Sequence, residues 1–412
     1  MSKGLNKRQL LAPRLPLLDE VMHAEEKLDT HDGLLLLTFW GSKGCGRTTF
    51  LNVVKEKFSS SNEVGITGIW DASDSKAFDL SRSISKAIDN QGSNHKLVLI
   101  DNLDALLKKD DQGFFEFEND TILKLVERGD TLIITSSQIE ISFWQEYDVR
   151  ERQKNFQLVP LKLDELEEII NDTDIDNNLA YQMTFGHPKI LDMFLTHPNW
   201  TEKEISDHAQ RYFLEDLPEE TREVARMASL LPAFNIFILR EIQKENNKVE
   251  QSDMLTWYND QINELTKQWI VQFDTQVGAY CFTDHAVRRL IARDFAINFI
   301  REFHRIQKIA ANYYQEEAKG ISYLPQIFVS AIYHLAQTQK TLAEHDTGDY
   351  CLSWIKDMRD VWRGARWEQV LKNWENGAGD SSLVEELESL IGPKNYSRIT
   401  RVLKESVKTS EA

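Results

Sequence analysis

The chain has 412 residues, 41% of them hydrophobic and 28% charged, and a net charge of −18 from 48 basic and 66 acidic side chains. That length exceeds one ordinary core and predicts two or three domains, while the charge repels nucleic acid and anionic membranes unless a local basic patch overrides it. No apolar run approaches a membrane span, MSKGLNKRQLL lacks the apolar stretch of a secretion signal, and Cys45, Cys281 and Cys351 form no metal spacing or disulfide framework; a cytoplasmic protein is expected.

Residues 1–33 read as a polar leader with Pro13 and Pro16, followed by a helix around Leu17 to Leu28. Leu34 to Trp40 is an apolar run of strand length. It leads into Gly41-Ser42-Lys43-Gly44-Cys45-Gly46-Arg47-Thr48, and Thr49 opens an amphipathic helix. Strand, glycine turn and helix are the context of a phosphate-binding loop, and the spacing is that of G-x-x-x-x-G-K-[ST]. Glycines let successive N–H groups line an anion cradle, and the helix N-terminus adds its positive dipole end. Arg47 stands where the motif has lysine. A planar fork cannot replace a compact ammonium without changing the geometry, and Lys43 is one place too late to compensate. Two readings stay open: nucleotide binding with weak or slow hydrolysis, or a loop that has lost its nucleotide. Cys45 is either a redox-sensitive thiol or a small residue filling a variable loop position.

Glu63 to Asp71 reads as a second strand, and Asp79 to Asn90 as a helix with Leu80, Ile84 and Ile88 on one face. Lys96 to Ile100 is a buried parallel strand that ends in Asp101, the place for a metal-coordinating acid in an open α/β sheet. Asn102 follows, where many ATPases carry a second acid; Asp104 either takes that catalytic role or is a solvated helix start. Residues 106–119 read as a charged loop before a helix at Thr121 to Val126. Thr131 to Ser137 is another buried strand, whose Thr135, Ser136 or Ser137 either senses a terminal phosphate or simply ends the strand. Asn155 to Leu163 is a last strand and turn, and Asp164 to Ile170 a helix with acids in its first turn. The alternation predicts a parallel, doubly wound sheet of about five strands.

Beyond it the chain reads as almost wholly helical. Gly186-His187-Pro188 precedes a helix at Lys189 to Leu195, with His187 a surface or capping residue. Helices are expected at Glu219 to Leu231, Ile236 to Glu245 and Ser252 to Gln268, then a hairpin through Trp269 to Phe273 and Tyr280 to Thr283, then a helix from Asp284 to Ala296. Arg288, Arg289 and Arg293 either reach phosphate or pair with acids, and pairing is favoured. Residues 297–345 form two helices broken near Gly320 to Pro325. Trp354, Trp362, Trp367 and Trp374 make either a core or a partner surface. A frayed tail ends the sequence after a short helix.

GSKGCGRT at 41–48, LVLIDNLD at 97–104, LIITSS at 132–137 and GHP at 186–188 together resemble the STAND-type P-loop NTPases, relatives of AAA+ proteins that include NB-ARC and NACHT modules. The resemblance implies an α/β P-loop NTPase domain with a parallel sheet at 34–170, an α-helical lid at 171–216, a winged-helix domain at 217–297 and a C-terminal all-α region at 298–412. It implies ATP or ADP with Mg²⁺ as cofactors, Thr48 and Asp101 as metal ligands, and Pro188 near the base, with Pro13-Arg14 as a further cover. In the family a Met-His-Asp motif touches the ADP phosphates. Here the matching stretch is Phe282-Thr283-Asp284, which leaves His285, one place later, as the candidate. A winged helix suggests DNA reading, but SDMLTWYNDQINELTKQ holds three acids and one lysine, which argues against nucleic acid. No effector domain is recognised at either end, so the expected output is through protein partners or self-assembly. The expected function is a nucleotide-dependent switch in signalling or defence with at most slow ATPase activity. The alternatives are a non-hydrolysing scaffold and, third, a DNA-associated AAA+ regulator.

Overall fold

A computed structural model describes residues 13–28, 33–59, 64–74, 76–109, 111–170, 175–244, 254–275, 278–320, 325–339, 344–361, 366–377 and 381–410. It divides into two compact units, Met1–Ile205 and Ser206–Ala412. The first runs α1 (Leu15–Glu26), β1 (Leu36–Trp40), α2 (Arg47–Phe58), β2 (Val64–Asp71), α3 (Ala77–Asp89), β3 (His95–Asp101), α4 (Asp104–Lys109), α5 (Asp111–Phe117), a π-helical turn (Glu118–Ile122), α6 (Leu123–Arg128), β4 (Thr131–Ser137), α7 (Tyr147–Glu151), β5 (Gln153–Gln157), α8 (Leu163–Ile170), α9 (Asn177–Thr184) and α10 (Pro188–Thr196). The unit boundary falls within α11 (Glu202–Leu214), inside the stretch read from sequence as one helical lid.

The sheet is parallel, in the order β2-β3-β4-β1-β5. Leu97 to Ile100 and Leu132 to Ile134 are fully buried, which is why β3 and β4 read as unbroken apolar runs rather than alternating ones. The order leaves β1 between β4 and β5 while the next strand in sequence, β2, lies at the far edge. The loop after β1 therefore opens at the carboxyl edge of the sheet, beside the ends of β3 and β4, where ligands bind in open α/β folds. Phe39, Leu51 and Val54 fix α2 in the core.

Two readings of this unit are corrected. Among the described residues, 106–109 and 111–119 are helical, not a loop, because Phe114 and Phe117 are fully buried and Trp144 stacks on Phe114 at 5.1 Å. The charged KKDDQ stretch masked that apolar pair. The last strand spans Gln153–Gln157, beginning two residues before the expected Asn155, and the rest of the expected strand and turn up to Leu163 is the connection to α8. As a half-exposed edge strand it has no hydrophobic alternation to mark it.

The second unit continues with α12 (Glu219–Ser229), α13 (Ile236–Lys244), α14 (Met254–Lys267), the antiparallel hairpin β6 (Val271–Asp274) and β7 (Ala279–Phe282), and α15 (His285–Asn298). Six helices follow: α16 (Ile300–Gly320), α17 (Pro325–Thr338), α18 (Glu344–Val361), α19 (Arg366–Glu375), α20 (Ser381–Ile391) and α21 (Pro393–Ser410). The expected cap Ser252, residues 321–324 of the expected break, and Trp362 lie outside the described residues. The other three tryptophans are core. Phe328 packs 5.0 Å from Trp354 and 5.6 Å from Trp367, and Trp374 stacks on Tyr396 at 4.6 Å. The tail is not frayed through Ser410: Leu403 and Ser406 are buried on α21.

Candidate nucleotide site at the carboxyl edge of the sheet

The glycines at 41–46 serve different ends. A Cβ on Gly41 would lie 2.7 Å from the Leu158 carbonyl oxygen and 2.8 Å from Cys45 Sγ, so only glycine lets β1 leave the sheet there. Cys45 is buried and fills that corner. Gly46 has φ +99° and precedes α2, and a Cβ on it would meet nothing within 4 Å. The loop is thus a backbone-walled cradle in front of the N-terminus of a twelve-residue helix. Ser42, Lys43 and Gly44 lie on the same turn, and Thr49 is in the first turn of α2.

At the open side of this cradle, Thr48 Oγ1 donates to Asp101 Oδ2 at 2.6 Å, joining groups 53 residues apart. Ser136 Oγ donates to Asp101 Oδ1, and the Asn102 N–H reaches both Asp101 Oδ1, at 3.0 Å, and Ser136 Oγ, at 3.1 Å. Of the three hydroxyls at the end of β4, only Ser136 is shown bonding to the acid. Thr135 bonds to Thr38 at 2.9 Å, and Ser137 accepts from the Ile139 N–H. Asn102 adopts φ +55°, a left-handed conformation that asparagine tolerates, and its amide donates to Asp71 Oδ1 at 3.2 Å.

Asp71 was missed from sequence. It ends β2 in register with Asp101, and its strand ends in an acid just as β3 does; that parallel was the available signal. Burial pushes its carboxyl up, but bonds from the Ser73 hydroxyl and N–H, the Asn102 amide and the nearby Lys109 charge outweigh it and hold the pKa below the usual value.

Arg47 is buried, at 8% exposure, and turns to Asp104, its Nη1 3.7 Å from Oδ1. That Nη1 makes no hydrogen bond. Asp104 is not solvated. It is 2% exposed, accepts from the Gln138 N–H at 2.9 Å, and has Lys108 Nζ 4.0 Å away. Burial lowers the Lys108 pKa; Asp104 opposes that, and the charges of Arg47 and Lys43 add to it. Two cations therefore face one carboxylate beside the cradle, and Lys43 acts on one of them. Arg14 lies close by, donating to the Val159 carbonyl at 2.5 Å, with Cys45 and Glu165 as its electrostatic neighbours.

Gly186 has φ +72°, and a Cβ there would lie 1.8 Å from the Leu161 oxygen, so the Gly-His-Pro turn is pinned to the segment after β5. Pro188 is buried as the first residue of α10. His187 holds the N-cap position of α10, as one of the two expected roles had it, but its side chain makes no cap hydrogen bond and it is fully buried rather than on the surface. His285 belongs to the second unit, as the half-buried first residue of α15, whose end is capped by Asp284 through the Ala286 and Val287 N–H groups. Arg288 and Arg289 pair with Glu385 and Glu386, as favoured, whereas Arg293 donates to the Ser206 hydroxyl at 2.8 Å.

The residues around the loop fit Mg²⁺ and a nucleotide. Thr48 and Asp101 offer hard oxygens, the Gly46 side of the cradle is open, and a buried Arg47 nitrogen lacks an acceptor. Among the described residues no helix is long and apolar enough to cross a membrane.

No family model matches the chain, and no curated protein does. Solved structures similar to it include a Walker-type ATPase of Pyrococcus abyssi, 13% identical, covering 65% of this chain and 94% of that one at a TM-score of 0.42. The Aeropyrum pernix ORC1 protein, solved in complex with DNA, is 12% identical over 73% of this chain and 100% of its own, at 0.39. The Thermotoga maritima RuvB Holliday junction branch migration motor is 15% identical over 69% of this chain and 95% of its own, at 0.35. Likenesses this distant say nothing of ligand or partner. The five-stranded parallel sheet, with a glycine loop between β1 and α2 and an acid ending β3, itself fits a P-loop NTPase domain.

Proposed function

We propose that the protein is a nucleotide-dependent regulatory switch of STAND type, holding ATP or ADP with Mg²⁺ on the 41–48 loop and turning it over slowly or not at all. The observation that carries this reading is the 2.6 Å contact between Thr48 and Asp101, which makes a two-oxygen metal seat beside a phosphate cradle. A bound nucleotide would supply the bond to be cleaved; the chain supplies the cradle, the metal oxygens and a phosphate contact from Ser136. Slow turnover follows from the acids. Asn102 cannot accept a proton, and Asp104 is taken up by Arg47, Lys108 and the Gln138 N–H. Pro188 lies on the proposed lid and His285 in the proposed winged-helix domain, so nucleotide contacts by these two residues would couple the loop to the segments at 171–216 and 217–297. Switching then requires the two states to differ in affinity for the two nucleotides. The helical region at 298–412 would carry the output to protein partners or to further copies of the chain, in the cytoplasm.

Heat-denaturing the purified protein and assaying the supernatant for ADP or ATP tests this directly. No released nucleotide, together with no thermal shift on adding Mg-ATP, leaves the scaffold reading in its place. Thr48→Ala is expected to weaken Mg-nucleotide binding about tenfold, as loss of one metal ligand implies; unchanged affinity in calorimetry would contradict the assignment. The net charge and the acidic third helix oppose DNA binding. Tight DNA retention in a low-salt filter assay would reverse that preference.

A further inference from the structure

We propose that Lys108, which lies outside the glycine-loop motif, is the residue by which this site distinguishes a nucleoside triphosphate from a diphosphate. The inference rests on the nucleotide-binding reading above and goes beyond it.

Position 47 cannot play the lysine's part in the usual way. Its guanidinium is buried and faces Asp104, and a planar fork on a packed stem has little room to swing. Lys108 approaches the same carboxylate from α4, one turn after Asp104, with a side chain 30% exposed. Its two contacts are long, 4.0 Å to Asp104 and 3.4 Å to Gln138 Oε1, so neither holds it in place. A flexible ammonium at the rim is free to follow an anion.

Charge balance points the same way. Arg47 and Lys108 both depend on Asp104, and Lys43 stands within electrostatic reach of Lys108. One carboxylate is shared by Arg47 and Lys108, and the buried Arg47 Nη1 is left with no hydrogen bond. The complement is a further anion on the cradle side, and a terminal phosphate has the charge. Asp104 would repel that phosphate unless a cation screens it. Lys108 is placed to do so, whereas a diphosphate, ending one group short, would depend on it less.

The test compares Mg-ADP with a Mg-bound non-hydrolysable ATP analogue by calorimetry, for the wild type and for Lys108→Gln, Lys108→Met and Lys108→Arg. Loss of one charge-assisted contact predicts that Gln and Met weaken the triphosphate about tenfold to a hundredfold and the diphosphate less than about threefold. Arg is expected to keep most of the discrimination. Lys108→Met retains the aliphatic stem and so controls for lost packing. Equal losses for both nucleotides, or none, in a protein whose wild type binds both would overturn the role of Lys108 alone. A wild type that binds neither overturns the nucleotide reading and this inference with it.

Discussion

Two buried arginines set the two units apart. Arg288, 2% exposed in the second unit, meets Glu386 and donates to the Ser229 carbonyl, and Glu386 in turn accepts from Tyr333 at 2.9 Å. Arg47, 8% exposed in the first unit, has an acid at 3.7 Å but a nitrogen with no hydrogen bond. Burying a charge is costly unless it is paired and bonded. The Arg288 cluster closes on Glu386 and the Ser229 carbonyl within its own unit, although its Nε also makes no hydrogen bond, and it is a structural joint. Arg47 has one acid at 3.7 Å and sits beside a backbone cradle. Place beside an anion cradle, more than buried charge or an unbonded nitrogen, sets Arg47 apart.

The contrast can be broken at several points. Glu386→Ala strips Arg288 of its carboxylate and is expected to destabilise the second unit by about 3–5 kcal/mol. Urea unfolding with an unchanged midpoint would show that Arg288 is not a joint. Gly186→Ala forces a Cβ against the Leu161 carbonyl at φ +72° and should cost the first unit about 2–4 kcal/mol. A near-wild-type melt would mean that the turn relaxes freely. Arg47→Lys replaces the fork with a compact ammonium and should raise phosphate release roughly tenfold, about 1.4 kcal/mol in barrier. No gain would move the deficit to Asn102.

The smallest effect concerns His334, whose Nδ1 lies 2.6 Å from Gln307 Oε1. Burial, and then the Arg288 charge, push its pKa down to about 3. The unfolded chain takes up this proton below about pH 6.5 and the folded one does not, so the contribution is complete above 6.5 and is lost as pH falls toward 3. Asp294, raised to about 6 by burial and by Asp207, has the opposite slope, which cancels when two proteins sharing it are compared. Between pH 6.5 and 5.5 the wild type should therefore lose about 1 kcal/mol more than His334→Gln, whatever the absolute cost of the substitution. Parallel stability curves would show that His334 titrates normally.

Local chemistry was legible in the sequence. The strand ending at Trp40, the glycine spacing at 41–46 and the apolar runs before Asp101 and through Ile134 follow from backbone freedom and from strands buried on both faces, and both leave their mark within a few residues. The same holds for the helix–hairpin–helix order of 219–296. Partnership was decided elsewhere. That Thr48 meets Asp101, that Ser136 is the hydroxyl which joins them, that Arg47 turns to Asp104 with Lys108 alongside, and that Asp71 ends beside Asn102 all depend on β4 lying between β1 and β3. Phe114 and Phe117 drew a charged stretch into a helix for the same reason: a core from distant segments was there to receive them. A side chain's type is set by its own position, but its charge and hydrogen bonds are completed by whichever segments the tertiary fold brings within about 4 Å.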